Sequence, residues 1–75
     1  MERTLRLNIV TKEESRVIAE LSSVSTKYIA TLANRVSNEI VEIDLTCTEP
    51  TAISLENIKE ILYWIPAYDI RFIIG

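Results

Sequence analysis

The sequence predicts a small α/β domain: a two-layer, open-faced sandwich of order β-α-β-(short β)-α-β, with both helices on one face of a mixed or antiparallel sheet. Three observations carry this. Residues 4–10, 39–47 and 69–74 alternate apolar and polar side chains, as a strand with one buried and one wet face does. Two other stretches repeat apolar residues at three- and four-residue steps, which marks amphipathic helices. The wet strand faces carry Arg6, Asn8, Glu42, Asp44 and Arg71, so the pattern leaves no room for a second helix layer on that side.

In the first strand Leu5, Leu7 and Ile9 share one face, and Arg6 and Asn8 share the other. Thr11-Lys12-Glu13-Glu14 then reads as a capping box, in which Thr11 accepts from an orphan N–H and Glu14 reaches back. From there Val17, Ile18, Leu21, Val24, Tyr28, Ile29, Leu32 and Val36 form one apolar stripe, predicting helix across residues 12–36. Arg16 and Glu20 fall at i,i+4 on its flank. Ser22-Ser23-Val24-Ser25-Thr26 are poor helix formers, so a bend or a split into two helices fits the same stripe.

Residues 39–47 alternate most cleanly, with Val41, Ile43, Leu45 and Cys47 on one face. Glu49-Pro50 reads as a turn and Thr51-Ala52-Ile53 as a very short strand. Ser54 is placed to cap the second helix, with Ile53 and Ile58 as a hydrophobic staple. That helix runs through Leu55, Ile58, Ile61, Leu62 and Ile65 and must stop at Pro66. The last strand sets Ile70, Phe72 and Ile74 against Asp69, Arg71 and Ile73.

Composition bounds the function. The 75 residues form one domain spanning 1–75, with eight basic and eleven acidic side chains and 48% apolar residues. The net charge of −3, with basic residues scattered, lacks the footprint of a nucleic-acid binder. One cysteine allows no internal disulfide and no zinc cluster. The absence of histidine removes Ser-His-Asp and Cys-His catalysis, and the sole glycine, Gly75, leaves no phosphate loop. No apolar h-region opens the chain, and the run Ile61 to Tyr68 is far short of the roughly 20 residues that span a bilayer. The expectation is a cytoplasmic protein that engages no membrane.

Candidate chemistry is sparse. Cys47 ends the apolar face of its strand and reads as a small buried hydrophobe with no activating base beside it. Glu42 and Asp44 share a strand face but have no identifiable third ligand, so a solvated face is preferred to a metal or acid/base site. The expectation is therefore no enzyme, no cofactor and no metal. The sharper candidate is aromatic. On a helical wheel Tyr63 and Trp64 fall off the buried stripe, and Pro66 and Tyr68 follow at once. Such a Tyr63-Trp64-Pro66-Tyr68 patch has the composition of a binding surface for a protein partner or a second copy. The competing account has the rings folding over the helix end to close the core.

The second half is similar in pattern to the HPr-like phosphocarrier family. The likeness covers about residues 36–74, through Asn38-Glu39-Ile40-Val41-Glu42-Ile43-Asp44-Leu45, a turn, Ile53-Ser54-Leu55-Glu56-Asn57-Ile58 and a strand after the helix. It implies an open-faced sandwich with the short third strand at an edge. That family carries phosphate on a histidine opening the first helix, and this chain has none; its regulatory serine falls at Asn57, with Ser54 one turn earlier as a possible regulatory residue. A TusA-like sulfur carrier would need a Cys-Pro motif that Thr11 to Arg16 lacks. The resulting expectation is a non-catalytic regulatory or protein-interaction module that self-associates. The alternatives are a small-ligand-binding regulatory domain of ACT or ferredoxin-like type, for which only Thr51 to Ile53 would serve as third strand, and a carrier using Cys47.

Overall fold

The computed structural model describes residues 3–24, 27–48 and 55–74. The elements run β1 (Arg3–Val10), α1 (Glu14–Ser22), β2 (Tyr28–Arg35), β3 (Ile40–Cys47), α2 (Leu55–Ile61) and β4 (Tyr68–Ile74). The four strands form one sheet in the order β2-β3-β1-β4, antiparallel at every contact. Each helix thus joins two strands that have another strand between them.

This overturns the predicted β-α-β-(short β)-α-β sandwich. Sheet outweighs helix, with four strands of seven or eight residues against helices of nine and seven. The principal change lies in residues 12–36, which form neither one helix nor two. The helix stops at Ser22 and a full strand begins at Tyr28. The cause is local. Ser23 Oγ donates to the Glu20 carbonyl at 2.8 Å, and the last intrahelical bonds close on Ser23 and Val24. Beyond it, Tyr28 and Ala30 face the core, while Ile29 and Thr31 face solvent, a period of two rather than 3.6. Leu32 and Val36, which the helical stripe had buried, are exposed. The short strand at 51–53, the turn at Glu49-Pro50 and the cap at Ser54 lie outside the described residues.

β2 returns into β3 through a tight turn built without glycine. Val36 and Ser37 N–H both donate to the Ile40 carbonyl, and Ser37 Oγ accepts from the N–H of Glu39 and of Ile40. The helix start also differs from expectation. Thr11 Oγ1 accepts from Glu13 N–H at 2.9 Å, a turn rather than a cap, and Glu13 at the N-cap contributes no side-chain bond. Glu14 reaches Arg35 at the end of β2 instead of its own helix N-terminus.

The core is a single layer. Leu5, Leu7 and Ile9 of β1 and Val41, Ile43, Leu45 and Cys47 of β3 meet Val17 and Leu21 of α1, Ile58 of α2 and Leu62 just beyond it. All of these are essentially inaccessible to solvent. Burying a side chain of this size contributes about 1.5–3 kcal/mol before chain entropy is counted. On the other face of the central strands Arg6 meets Asp44 in a bidentate pair, Nε to Oδ1 at 2.9 Å and the second guanidinium nitrogen to Oδ2 at 3.0 Å. The Asp44 bond and charge hold the Arg6 guanidinium above its ordinary value. One row along, the Thr4 and Thr46 hydroxyls pair at 3.2 Å.

Candidate functional site

The four residues of the aromatic candidate are dispersed over three environments. Leu62 is buried and Ile65 nearly so, and between them the chain turns out of α2. Tyr63, at the crest of that turn, is 80% exposed. Trp64 turns inward and packs against the core. Its indole Nε1–H donates to Glu20 Oε1 at 2.8 Å, the Arg16 guanidinium lies 4.0 Å from its ring centroid, and Arg16 Nε reaches Glu20 Oε2 at 3.3 Å. Trp64 thus fastens the end of α2 to α1, and the ring that closes over the core is the one the competing account described.

Pro66 is exposed and, with Trp64, walls an open cleft of about 320 Å³ completed by Val10, Thr11, Lys12, Glu13 and Glu39. The charged groups of this cleft are paired at its rim: Lys12 Nζ with Glu39 at 3.7 Å, and Glu13 with Arg16 at 3.8 Å. Tyr68 belongs to a second, smaller cleft with Asn8, Val10, Ile40, Ala67 and Asp69, on the far side of Val10. It is half-buried and packs on the core from β4. The predicted patch is therefore a ridge at Tyr63 with one cleft at Trp64 and Pro66 and another at Tyr68. Ser54 lies outside the described residues.

The remaining candidates fall on the core or on the polar sheet face. Cys47 forms no disulfide and has no solvent exposure, at the end of β3 opposite Arg3 and Tyr28. Asp44 is engaged by Arg6, and Glu42 lies opposite Asn8, so the two carboxylates do not converge. Among the described residues no group of three or more acidic or cysteine side chains is arranged to hold a metal, and no helix is long and apolar enough to cross a membrane.

Sequence reasoning missed the outer edge of β4. Phe72 is 54% exposed and Ile73 42%, and among the described residues no strand lies beyond them in the sheet. Arg3 lies over Phe72, its guanidinium 5.5 Å from the ring centroid. The signal was there in part: Phe72 continues the apolar face of the last strand, but only the strand order shows that this strand is an edge. No protein-family model matches the chain, and comparisons with curated proteins and solved structures also find no match.

Proposed function

We propose that the chain is a non-catalytic protein-interaction module, regulatory in role, that self-associates. The observation that carries this reading is the outer edge of β4, beyond which no strand lies among the described residues and where Phe72 and Ile73 are exposed on opposite faces; Tyr63 is exposed separately on the turn after α2. Such an edge is a template for another strand, and exposed aromatic side chains are favoured anchors at protein contacts. Two further features agree. The thiol is sealed in the core, which favours packing over group transfer. The charged side chains at the larger cleft neutralise each other, which favours a structural rim over a site that draws in a charged metabolite.

The test is light scattering on the purified chain across a wide concentration range, with Tyr63→Ser beside the wild type, and a heat-shift screen against metabolites. Self-association, or capture of a defined protein that Tyr63→Ser weakens, is the expected result. A chain that stays monomeric, captures no protein and is stabilised by a metabolite would be a ligand-binding domain, and the proposal would fall.

A further inference from the structure

We infer that the β4 edge is occupied by a second copy of this chain, paired strand to strand and antiparallel about Ile70; the inference rests on the interaction-module reading above. The ladder geometry limits the choices. Val10 N–H donates to the Ala67 carbonyl at 3.0 Å, and these two residues face each other one step beyond the Ile9–Tyr68 pair. In an antiparallel ladder, pairs that exchange hydrogen bonds alternate with pairs that do not. Asp69 and Arg71 therefore turn their backbone groups toward β1, while Tyr68, Ile70 and Phe72 turn theirs to the open edge. Beyond Phe72 the register shifts, since Leu5 faces Phe72 but Thr4 faces Ile74. The regular stretch of edge is Tyr68 to Phe72, and its midpoint is Ile70.

A copy laid antiparallel about that midpoint sets Ile70 against Ile70 and Tyr68 against Phe72. All of these have outward backbone groups, so the ladder closes. Between them, on the polar face, Asp69 meets the partner's Arg71 as a close non-bonded pair, twice by symmetry. On the opposite face Tyr68 covers the exposed Phe72.

The charges choose this register. Within one chain Arg71 lies directly opposite Arg6, a like charge, and Arg6 is already held by Asp44. Like charges facing across a ladder are unfavourable, so Arg71 is short of an acid. Asp69 lies opposite Asn8, and among the described residues neither Asp69 nor Arg71 makes an ion pair or a side-chain hydrogen bond. Centring the pair on Arg71 would put arginine on arginine, and centring it on Phe72 would set Arg71 against Ile73. The other edge strand among the described residues, β2, is broken in mid-strand by a register shift between Leu32 and Asn34, which blunts it for continuous pairing.

Charge reversal tests the register. Sedimentation equilibrium would be run on the wild type, on D69R, on R71D and on an equimolar mixture of the two variants, with far-UV dichroism and Trp64 fluorescence reporting the fold. The expected result is a wild-type dimer, at least about tenfold weaker self-association of each variant, and recovery in the mixture, where every Arg again meets an Asp. Amide exchange should show Ile70 and Phe72 protected in the dimer and exposed in D69R. A wild-type dimer that neither reversal weakens would overturn this register while leaving the interaction-module reading intact, since association would then use another surface. A monomeric wild type would overturn the inference and the self-association in the reading above, leaving only its partner-binding part, which the Tyr63→Ser capture experiment decides.

Discussion

Removing the indole N–H of Trp64 while keeping its ring should cost about 1–1.5 kcal/mol. The substitution is Trp64→Phe. The lost bond runs to a carboxylate, Glu20 Oε1 at 2.8 Å, and hydrogen bonds to charged groups contribute about 1.5–3 kcal/mol. Glu20 keeps a third of its side-chain surface in water and retains Arg16 as a partner, so the loss falls at or below the low end of that range. The phenyl ring preserves much of the stacking under the Arg16 guanidinium. Trp64→Ala also forfeits the stacking and the packing against the core, for a total of about 2–4 kcal/mol. The whole domain, at 75 residues, should have about 4–11 kcal/mol of stability, so the alanine variant would be severely compromised. The assay is urea unfolding followed by far-UV dichroism, with equal slopes required before midpoints are compared. A double-mutant cycle with Glu20→Gln should return a coupling of about 1 kcal/mol. If Trp64→Phe cost less than about 0.3 kcal/mol and the cycle gave no coupling, Trp64 would not be the fastener between the helices, and its ring would be free to serve a partner.

Three other outcomes follow from the packing. Ile58 is the only fully buried residue within α2, and Ile58→Ala should lower stability by about 2–4 kcal/mol, read from the same urea midpoints. The Arg6–Asp44 pair is reachable by solvent, so Arg6→Ala should lower the urea midpoint only slightly, and added salt should shrink the difference. Because the folded Arg6 value is raised, the pair's contribution is full everywhere below the ordinary arginine value and fades only as pH climbs through the folded one; Arg6→Ala should therefore cost the same at neutral and mildly alkaline pH. Cys47 should resist a thiol reagent in the native protein and react at once in denaturant; rapid native labelling would contradict its burial.

The central strands were legible because each presents one uninterrupted apolar face to the core: Leu5-Leu7-Ile9 and Val41-Ile43-Leu45-Cys47 alternate with polar residues without a break. Residues 28–36 were not, because Tyr28, Ile29, Leu32 and Val36 fit a helical stripe as well as a strand. At a sheet edge only part of the inner face is buried, so Ile29 and Leu32 carry no clear contrast between inside and outside. The Ser37-Asn38 turn between two runs rich in β-branched residues was the clue that a hairpin was present. Of the aromatic candidate, Tyr63 could be read as exposed from the helical wheel alone. Trp64 could not be placed, since its partner Glu20 lies 44 residues away and meets it only once the two helices are side by side. The like-charge contact between Arg6 and Arg71 needs the strand order as well as the alternation.

The position of β1 between β3 and β4 has a consequence for how the chain reaches its native state. The β2–β3 hairpin closes locally, Arg35 facing Val41. Every other ladder is remote: Val10 pairs with Ile40 and Arg3 with Cys47, while Thr4 pairs with Ile74. Such a topology has high contact order and folds slowly for its size. During synthesis β1 emerges before both of its neighbours, waits for β3 to cover one edge, and leaves its other edge bare until β4 appears. Through that interval an apolar strand is open to the wrong partner, and the hairpin is the piece best placed to guard it.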